Sequence, residues 1–353
     1  GRLRRQRRRG HVELRQGGRS VPVMDVTLPT PAWWEFWSQA GQNKADFTAR
    51  LGRREFPGLQ EGRATLHIAA TNDSWGRFFR GGRSELWLEL PVRFVPPQVQ
   101  VLSSSHYINQ GGAELVVFRV SPGTAESGIQ VGDYFFPSWP VKESPSETRF
   151  CLFAFPYNVD PKTPARLVAR DDAGNEMMSN FTYRVFPKTF RMDTVQVTDD
   201  FMARVVPPIL SQTPELQDQG DLLRNFLLIN GRLRELNAQQ LVAYARNTAP
   251  NFSWSQPFLQ LSKSKVEASF ADQRRYYYFG KLIDRQVHLG FDLASTAHTP
   301  VVAANDGMVI HTGFLGIYGN AILIDHGCGL QTLYGHLGSM EVKTGEAVRR
   351  GQV

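Results

Sequence analysis

Short runs of alternating apolar and polar residues, each ended by a turn sequence, recur along the chain and constrain its fold more than any other feature. The run ATLHIAATNDSWG (64–76) alternates and stops at a turn, and LWLELPVRF (86–94) alternates again before two prolines. A period of two places successive side chains on opposite faces of a strand. The 31 glycines and 21 prolines supply many breaks between such runs. We therefore predict a mainly β protein.

The length and an offset repeat predict more than one domain. A chain of 353 residues with 41% hydrophobic residues exceeds one ordinary core. About a hundred residues after the first runs, ARLVARDDAGN (165–175) again stops at an acidic turn, and FTYRVF (181–186) follows. The pairing predicts two tandem β-sandwiches, at 11–96 and 97–190. Because VARDDAGN resembles the penultimate-strand turn of bacterial immunoglobulin-like domains, we expect both sandwiches to be immunoglobulin-like spacers or binding modules.

The positive charge is concentrated in the segment 1–10, which we predict to be a basic tail. Six arginines lie there, so the formal net charge of +7 leaves +1 for the remaining chain. A nearly neutral body does not indicate a nucleic-acid surface. The tail is interpreted as solvated, with contact to an anionic membrane or wall polymer as the alternative. Since the first residue is Gly, we expect a precursor segment, either a signal peptide or a membrane anchor.

Residues 191–255 change character and predict a short helical connector. Pro207-Pro208 and Pro214 are expected to break the chain. Asp221 is a suitable N-cap for DLLRNFLLING, and Asn230-Gly231 is a C-cap signal that ends this helix. A second helix is predicted at 237–247, and a lid over a cleft is the alternative role for the connector. The apolar face of the second helix would consist of Leu241, Val242 and Ala245.

The last segment, 256–353, predicts an antiparallel β domain with glycine-rich turns. The predicted strands are 300–305, 307–314, 320–327, 330–337 and 346–353. Only two cysteines occur, Cys151 and Cys328, which excludes a disulfide framework. We expect both to be small buried residues rather than reactive thiols.

The segment QVHLGFDLAS (286–295) places a histidine and an aspartate four residues apart, with a glycine midway. In an extended chain His288, Gly290 and Asp292 share one face, and the glycine leaves a notch between the other two. Imidazole and carboxylate groups bind zinc at ~2.0–2.2 Å, so the pair can hold a divalent cation. Leu289 and Phe291 would then point into the core. The alternative is a hydrogen-bonded His–Asp pair at a strand edge.

A second histidine follows in LQTLYGHL (330–337), where alternation would place Thr332, Tyr334 and His336 on one face. HLGFDLA, TPVVAANDGMVIHTG, YGNAILIDHGCGLQTLYGHL and VKTGEAVRRGQV follow one another at the separations seen in lysostaphin/LytM-type zinc metallopeptidases. The resemblance covers residues 286–353. It identifies this segment as similar to the peptidase domain of that family.

The resemblance implies a function and a set of site residues. His288 and Asp292 become zinc ligands, His336 becomes a catalytic histidine, and a third ligand from an HxH motif is expected beyond Val353. For Tyr334, an orienting role and plain packing are both open. The implied activity is a zinc-dependent endopeptidase acting on peptide cross-links or stem peptides of bacterial peptidoglycan, in the periplasm or elsewhere in the cell envelope.

One departure from the family pattern keeps an alternative open. No HxH motif occurs within the 353 residues, so we expect the peptidase domain to be incomplete at its C-terminus and zinc binding to be weak. The alternative is a non-catalytic family member that binds wall peptides or regulates another cell-wall hydrolase. A purely adhesive surface protein is less consistent with the motifs after residue 286. The bond cleaved and the oligomeric state are not indicated.

Overall fold

The mainly β prediction is confirmed by the computed structural model. It describes residues 8–28, 48–49, 51–72, 82–142, 144–145 and 147–353, which contain 23 strands and three α-helices. The chain forms two compact units. One comprises Gly1–Gln100, Val120–Gly128 and Leu167–Asn180, and the other comprises Val101–Arg119, Ile129–Arg166 and Phe181–Val353. None of the helices in the described residues is long and apolar enough to cross a membrane.

The first unit begins with a four-stranded antiparallel sheet in the order β2-β1-β3-β4. Its strands are β1 (Arg8–Gln16), β2 (Arg19–Leu28), β3 (Gly62–Asn72) and β4 (Gly82–Val92). The described part of the run 64–76 lies within β3, and most of the run 86–94 lies within β4. β1 starts inside the segment predicted as a basic tail, of which residues 1–7 lie outside the described residues. Within the described part of 11–96 a second sheet is not seen, so a sandwich here stays a prediction.

The second predicted sandwich region contains ten short strands, which are divided between the two units. They are β5 (Val99–Val101), β6 (His106–Asn109), β7 (Ala113–Val120), β8 (Thr124–Val131), β9 (Tyr134–Pro137), β10 (Trp139–Pro140), β11 (Thr148–Ala154), β12 (Ala165–Asp171), β13 (Glu176–Ser179) and β14 (Tyr183–Phe186). They form sheets β10-β11-β7-β5 and β13-β12-β8-β9, and β14 pairs in parallel with β6. At the predicted acidic turn, Asp171 Oδ1 accepts hydrogen bonds from the backbone of Ala173 and Asn175. An immunoglobulin-like fold stays a prediction.

The connector contains β15 (Met192–Gln196), α1 (Asp199–Ser211), α2 (Leu222–Leu228) and α3 (Arg234–Arg246). The predicted N-cap is confirmed, because Asp221 Oδ1 accepts a hydrogen bond from Arg224 N at 2.8 Å. The predicted C-cap is wrong, because a π-helical turn, Ile229–Leu233, joins α2 to α3 without a break. The buried Asn230 side chain donates to Asp284 Oδ2 at 2.7 Å and accepts from Arg234 Nε at 3.0 Å. These tertiary contacts override the local helix-ending preference of Asn-Gly.

Two further expectations for the connector are corrected. Pro207-Pro208 lies inside α1 rather than ending it, and burial of the neighbouring Met202 and Val206 stabilises the helix through the prolines. On α3 the predicted apolar face is largely in solvent, with Val242 53% exposed. The buried residue of α3 is instead the polar Asn237. Hydrophobic periodicity therefore did not identify the face by which α3 packs.

The connector shares one hydrophobic core with the strands that follow it. Buried residues of α1, α2 and the π-helical turn pack with Tyr276 of β17, and Ile283 and Ile317 cover the edge of this cluster. The cluster is formed by Val197, Met202, Val206, Phe226, Ile229, Leu233 and Tyr276. β15 also pairs in parallel with β17. The connector is thus built into the C-terminal part of its unit.

The C-terminal strands form three sheets, β15-β17-β18, β16-β19 and β22-β21-β20-β23. They are β16 (Lys265–Ala268), β17 (Asp272–Tyr278), β18 (Lys281–His288), β19 (Asp292–Ala294), β20 (Gly307–Phe314), β21 (Asn320–Asp325), β22 (Gln331–Tyr334) and β23 (Ala347–Val348). The last four fall within predicted strands. Residues 300–305 are not a strand, because loop contacts satisfy their backbone: Ala303 N donates to Gln352 O and Leu259 N to Ala304 O. Cys151 and Cys328 are free and buried, as expected.

Candidate metal and catalytic site

His288 is the last residue of β18, where it lies opposite Asp272 of β17. Its Nδ1 lies 3.1 Å from the carbonyl oxygen of Ser269. A carbonyl only accepts hydrogen bonds, so Nδ1 donates and the lone pair of a neutral imidazole is left on Nε2. The hydrogen bond to Ser269 therefore leaves Nε2 as the ring nitrogen that could bind a cation.

The Ser269 carbonyl is itself held in place by the buried carboxylate of Asp272. Asp272 Oδ2 accepts from Ser269 N at 2.9 Å and from Arg191 Nη2 at 2.6 Å. Burial alone would raise the pKa of Asp272, but the hydrogen bonds from Ser269 and Arg191 outweigh it and the pKa is lowered. A charged, fixed carboxylate therefore anchors the turn that orients His288.

Asp292 begins β19, which pairs with β16 in a different sheet from β18. The chain bends at Gly290 between the two strands, so the prediction of one extended strand through 288–292 is wrong. The bend still brings His288 Nε2 to 3.1 Å from Asp292 Oδ1. Leu289 and Phe291 are 56% and 62% exposed, which contradicts the expectation that they anchor the core.

Gly290 leaves open space beside the imidazole. A Cβ at this position would lie 3.9 Å from His288 Nε2, within van der Waals contact of the atom that would bind a cation. The notch inferred from the sequence therefore exists, although a bend rather than strand alternation produces it. Because Gly290 has no side chain, a ligand can approach His288 Nε2 from the side of the bend.

Arg274 of β17 holds the second oxygen of the aspartate. Its Nη2 lies 2.9 Å from Asp292 Oδ2, so the carboxylate is fixed with Oδ1 towards the histidine. No pattern in the sequence marks Arg274 as a site residue. Arg274 precedes Asp292 by 18 residues and belongs to no motif, and the contact depends on the pairing of four strands.

The pair has the chemistry and spacing of zinc ligands. Two ligand atoms at about 2.0–2.1 Å from one tetrahedral ion are roughly 3.3 Å apart, close to the 3.1 Å between His288 Nε2 and Asp292 Oδ1. A nitrogen and an oxygen donor are both common in zinc sites. The described residues contain no cluster of three or more His, Cys, Asp or Glu side chains able to hold a metal. His288 and Asp292 could thus supply two ligands of a metal site.

His336 lies beyond the end of β22, not within a strand as predicted. Its backbone is left-handed, with φ 56°, so strand alternation does not determine its direction. The His336 N–H donates to Tyr318 O at 2.7 Å, and the side chain is exposed. Within the described chain we find no hydrogen bond or ion pair joining His336 to His288 or Asp292. Exposure leaves the imidazole accessible to a substrate.

Tyr334 is engaged in the framework behind the site. Its hydroxyl accepts from Ala304 N at 2.7 Å and lies 3.0 Å from Thr332 Oγ1. Thr332 Oγ1 in turn contacts Nε2 of the fully buried His326 at 2.8 Å. Burial lowers the pKa of His326, which favours its neutral form. The Tyr334 hydroxyl is therefore used in hydrogen bonds that hold the loop around Ala304 in place.

Comparison with known proteins identifies the segment that carries the site. Residues 286–353 match the model of peptidase family M23, which confirms the resemblance found in the sequence. The segment is 43% identical over 68 residues to the DD-carboxypeptidase/endopeptidase Mpg of Neisseria meningitidis, covering 19% of this chain and 16% of that protein. Peptidoglycan DD-endopeptidase ShyA of Vibrio cholerae is 37% identical over 91 residues, or 26% and 20% of the two chains.

A solved structure also shows similarity. A Pseudomonas aeruginosa structure assigned to peptidase M23 aligns over 69% of this chain and 79% of its own, with 20% identity and a TM-score of 0.38. The chain spans about a sixth to a fifth of the length of the two curated relatives.

Proposed function

We propose, from the match of residues 286–353 to peptidase family M23, that this protein is a zinc-dependent endopeptidase acting on cross-links or stem peptides of bacterial peptidoglycan. The observation that carries the proposal is the His288–Asp292 pair, whose Nε2 and Oδ1 atoms lie 3.1 Å apart inside the matched segment. The substrate class is supported by relatives named as DD-endopeptidases of peptidoglycan.

The residues around the pair prepare it for a metal. Ser269 O accepts a hydrogen bond from His288 Nδ1–H and so orients the imidazole with Nε2 towards Asp292. Arg274 neutralises and fixes Asp292 Oδ2, which leaves Oδ1 as the ligand atom. When bound, zinc supplies Lewis-acid polarisation of a peptide carbonyl and activation of water at neutral pH.

His336 supplies the proton-transfer group in this proposal. Its exposed imidazole can take a proton from the attacking water or donate a hydrogen bond to the developing oxyanion. Its left-handed backbone is a sparsely populated conformation, which persists only where the surroundings fix it. The substrate peptide would then lie between His336 and the proposed metal ligands His288 and Asp292, here called the metal pair.

The proposed partners follow from the proposed reaction. Peptidoglycan peptides are the substrate, which places the protein outside the cytoplasm, in the periplasm or attached to the cell envelope. The near-neutral body of the chain is consistent with a wall substrate rather than nucleic acid.

Digestion of purified sacculi tests the function. With a chain that includes a third zinc ligand, we expect the protein with added zinc to release soluble muropeptides, and a chelator or His288→Ala to reduce release at least about 10³-fold, equivalent to ~4 kcal/mol. His298→Ala is the matched control, because His298 is an exposed loop histidine in the same segment. Undiminished release by His288→Ala would contradict the assigned role. Sacculus binding without any release would instead support the non-catalytic alternative.

A further inference from the structure

A tight turn at 315–319 lies between helix α3 of the connector and His336. Three backbone hydrogen bonds close it: Leu315 N to Gly319 O at 2.8 Å, Tyr318 N to Leu315 O at 3.0 Å, and Gly319 N to Gly316 O at 3.1 Å. Leu315 is fully buried at its base. Because so many bonds close on five residues, a displacement at one end of the turn is transmitted to the other.

One end of the turn is held by Asn237 of α3. This side chain is only 4% exposed, and its Oδ1 accepts the Ile317 N–H at 3.0 Å. Gly316, with φ 51°, lies so close that any Cβ there would overlap the Asn237 amide. A buried amide that touches backbone this closely fixes the position of the turn relative to α3.

The other end of the turn holds His336. Tyr318 O accepts the His336 N–H at 2.7 Å, and Asn320 O accepts the Leu337 N–H at 3.0 Å. A Cβ on Gly319 would lie 3.6 Å from His336 Nδ1, so the imidazole lies against the turn. Since β22 has already ended, these contacts with the turn replace the strand ladder at His336.

We infer that Asn237 is a positioning residue for His336, acting through the turn at 315–319. Without the amide acceptor, the Ile317 N–H is left unpaired and the turn relaxes. The left-handed backbone of His336 is then free to leave its strained conformation, and the imidazole moves away from the reacting atoms. The inference rests on the proposed catalytic role of His336. It leaves the metal pair unaffected, because Asn237 has no part in the contacts that fix His288 and Asp292.

Asn237→Ala tests the inference. We expect kcat on peptidoglycan to fall about 10–100-fold with KM within about twofold, because small misplacements of a catalytic group carry losses of this size. Zinc affinity should stay unchanged. The imidazole ¹H–¹⁵N signals of His336 should shift or broaden, and Asn237→Asp, which keeps an acceptor oxygen, should restore them in large part.

Asn225→Ala is the matched control. Asn225 is 6% exposed on α2 of the same connector, where Oδ1 accepts from Gln219 N and Nδ2 donates to Asp218 Oδ1. Its loss destabilises the connector without touching the turn, so we expect a lower Tm with unchanged His336 signals and kcat. If Asn237→Ala and Asn225→Ala alter kcat and the His336 signals equally, the positioning role is wrong.

A second variant keeps the test decisive if Asn237→Ala fails to fold. Gly316→Ala introduces a Cβ that overlaps the Asn237 amide and moves the turn from its other side. Folded Gly316→Ala with unchanged His336 signals would overturn the inference. The signals also separate this inference from the proposed function. If the wild-type protein releases no muropeptides but Asn237→Ala shifts the His336 signals, only the proposed function is wrong. If the wild-type protein is active but Asn237→Ala leaves the His336 signals unshifted, only the positioning role of Asn237 is wrong.

Discussion

The two halves of the proposed site are built in different ways. His288 and Asp292 lie four residues apart, and one bend between two strands brings their ligand atoms to 3.1 Å. His336 is placed by a turn that is itself fixed by Asn237, a residue of the connector. The first half is mainly a local structure, and the second depends on long-range packing.

This difference has a consequence for how the halves respond to change. Closing a loop of a few residues costs little entropy, so the His288–Asp292 pair forms once β17 is paired with β18 and β16 with β19. The position of His336 also requires the core shared by α1, α2 and β17 and the contact of α3 with the turn. Disturbance of the connector should therefore reduce turnover before it reduces metal binding.

Among changes to one half of the site, removal of the His336 imidazole is expected to lower kcat the most. His336→Asn keeps a residue that tolerates the left-handed backbone but removes the titratable ring. We expect kcat to fall about 10²–10⁴-fold, the usual contribution of a general acid or base. Zinc stoichiometry and affinity, measured by competition with a chromogenic chelator, should match wild type.

His298→Asn is the control for this substitution. His298 is another exposed histidine with a left-handed backbone, φ 60°, and it makes no part of the proposed site. We expect it to retain wild-type kcat. If His336→Asn lowers zinc affinity as well as kcat, the two halves of the site are not independent.

The sequence predicted local features of the fold and the proximity of His288 to Asp292, but not the geometry of the site. The β-rich class, β20, the Asp221 cap and the M23 segment were all accessible, because each depends on local periodicity or a contiguous motif. The HxxxD spacing indicated correctly that the side chains of His288 and Asp292 are neighbours, and their role as metal ligands stays a prediction. The bend at Gly290 was missed, since it arises because β18 and β19 pair with partners in different sheets.

The missed features all depend on contacts between distant residues. Arg274 and Asn237 belong to no motif, and each acts on a residue or turn far from it in sequence. Asn230-Gly231 has a strong helix-ending signal that tertiary bonds to Asp284 override. Alternation failed at His336 because the strand ends two residues earlier. Single-sequence patterns report local preference, and these positions are determined by packing.

Loss of Arg274 tests the half of the site formed by His288 and Asp292. Arg274→Ala removes the donor that fixes Asp292 Oδ2, so the carboxylate is free to turn away from His288. We expect zinc affinity to fall about 10–100-fold, the usual effect of losing such a partner. The imidazole signals of His336 should be unchanged, because Arg274 has no part in the turn at 315–319. Isothermal titration and NMR measure the two quantities separately.

The adjacent arginine provides the control. Arg275 lies on the same strand with its side chain on the opposite face, because side chains alternate along β17. Arg275→Ala should therefore bind zinc as wild type does. Equal weakening by both substitutions would show that general loss of positive charge or of β17 stability, and not the contact with Asp292, sets the affinity.

The smallest effect on activity is expected at Tyr334, which lies two residues before His336 but belongs to neither half. Tyr334→Phe removes the hydroxyl that accepts from Ala304 N and leaves that amide unpaired. We expect about 1–3 kcal/mol lower unfolding free energy, the usual penalty for an unsatisfied buried group, and kcat within about twofold of wild type. Tyr107→Phe, at a site 60% exposed, controls for loss of a hydroxyl in general. A fall in kcat beyond tenfold with unchanged stability would assign Tyr334 to the catalytic half, and proximity to His336 would then outweigh the framework contacts of its hydroxyl.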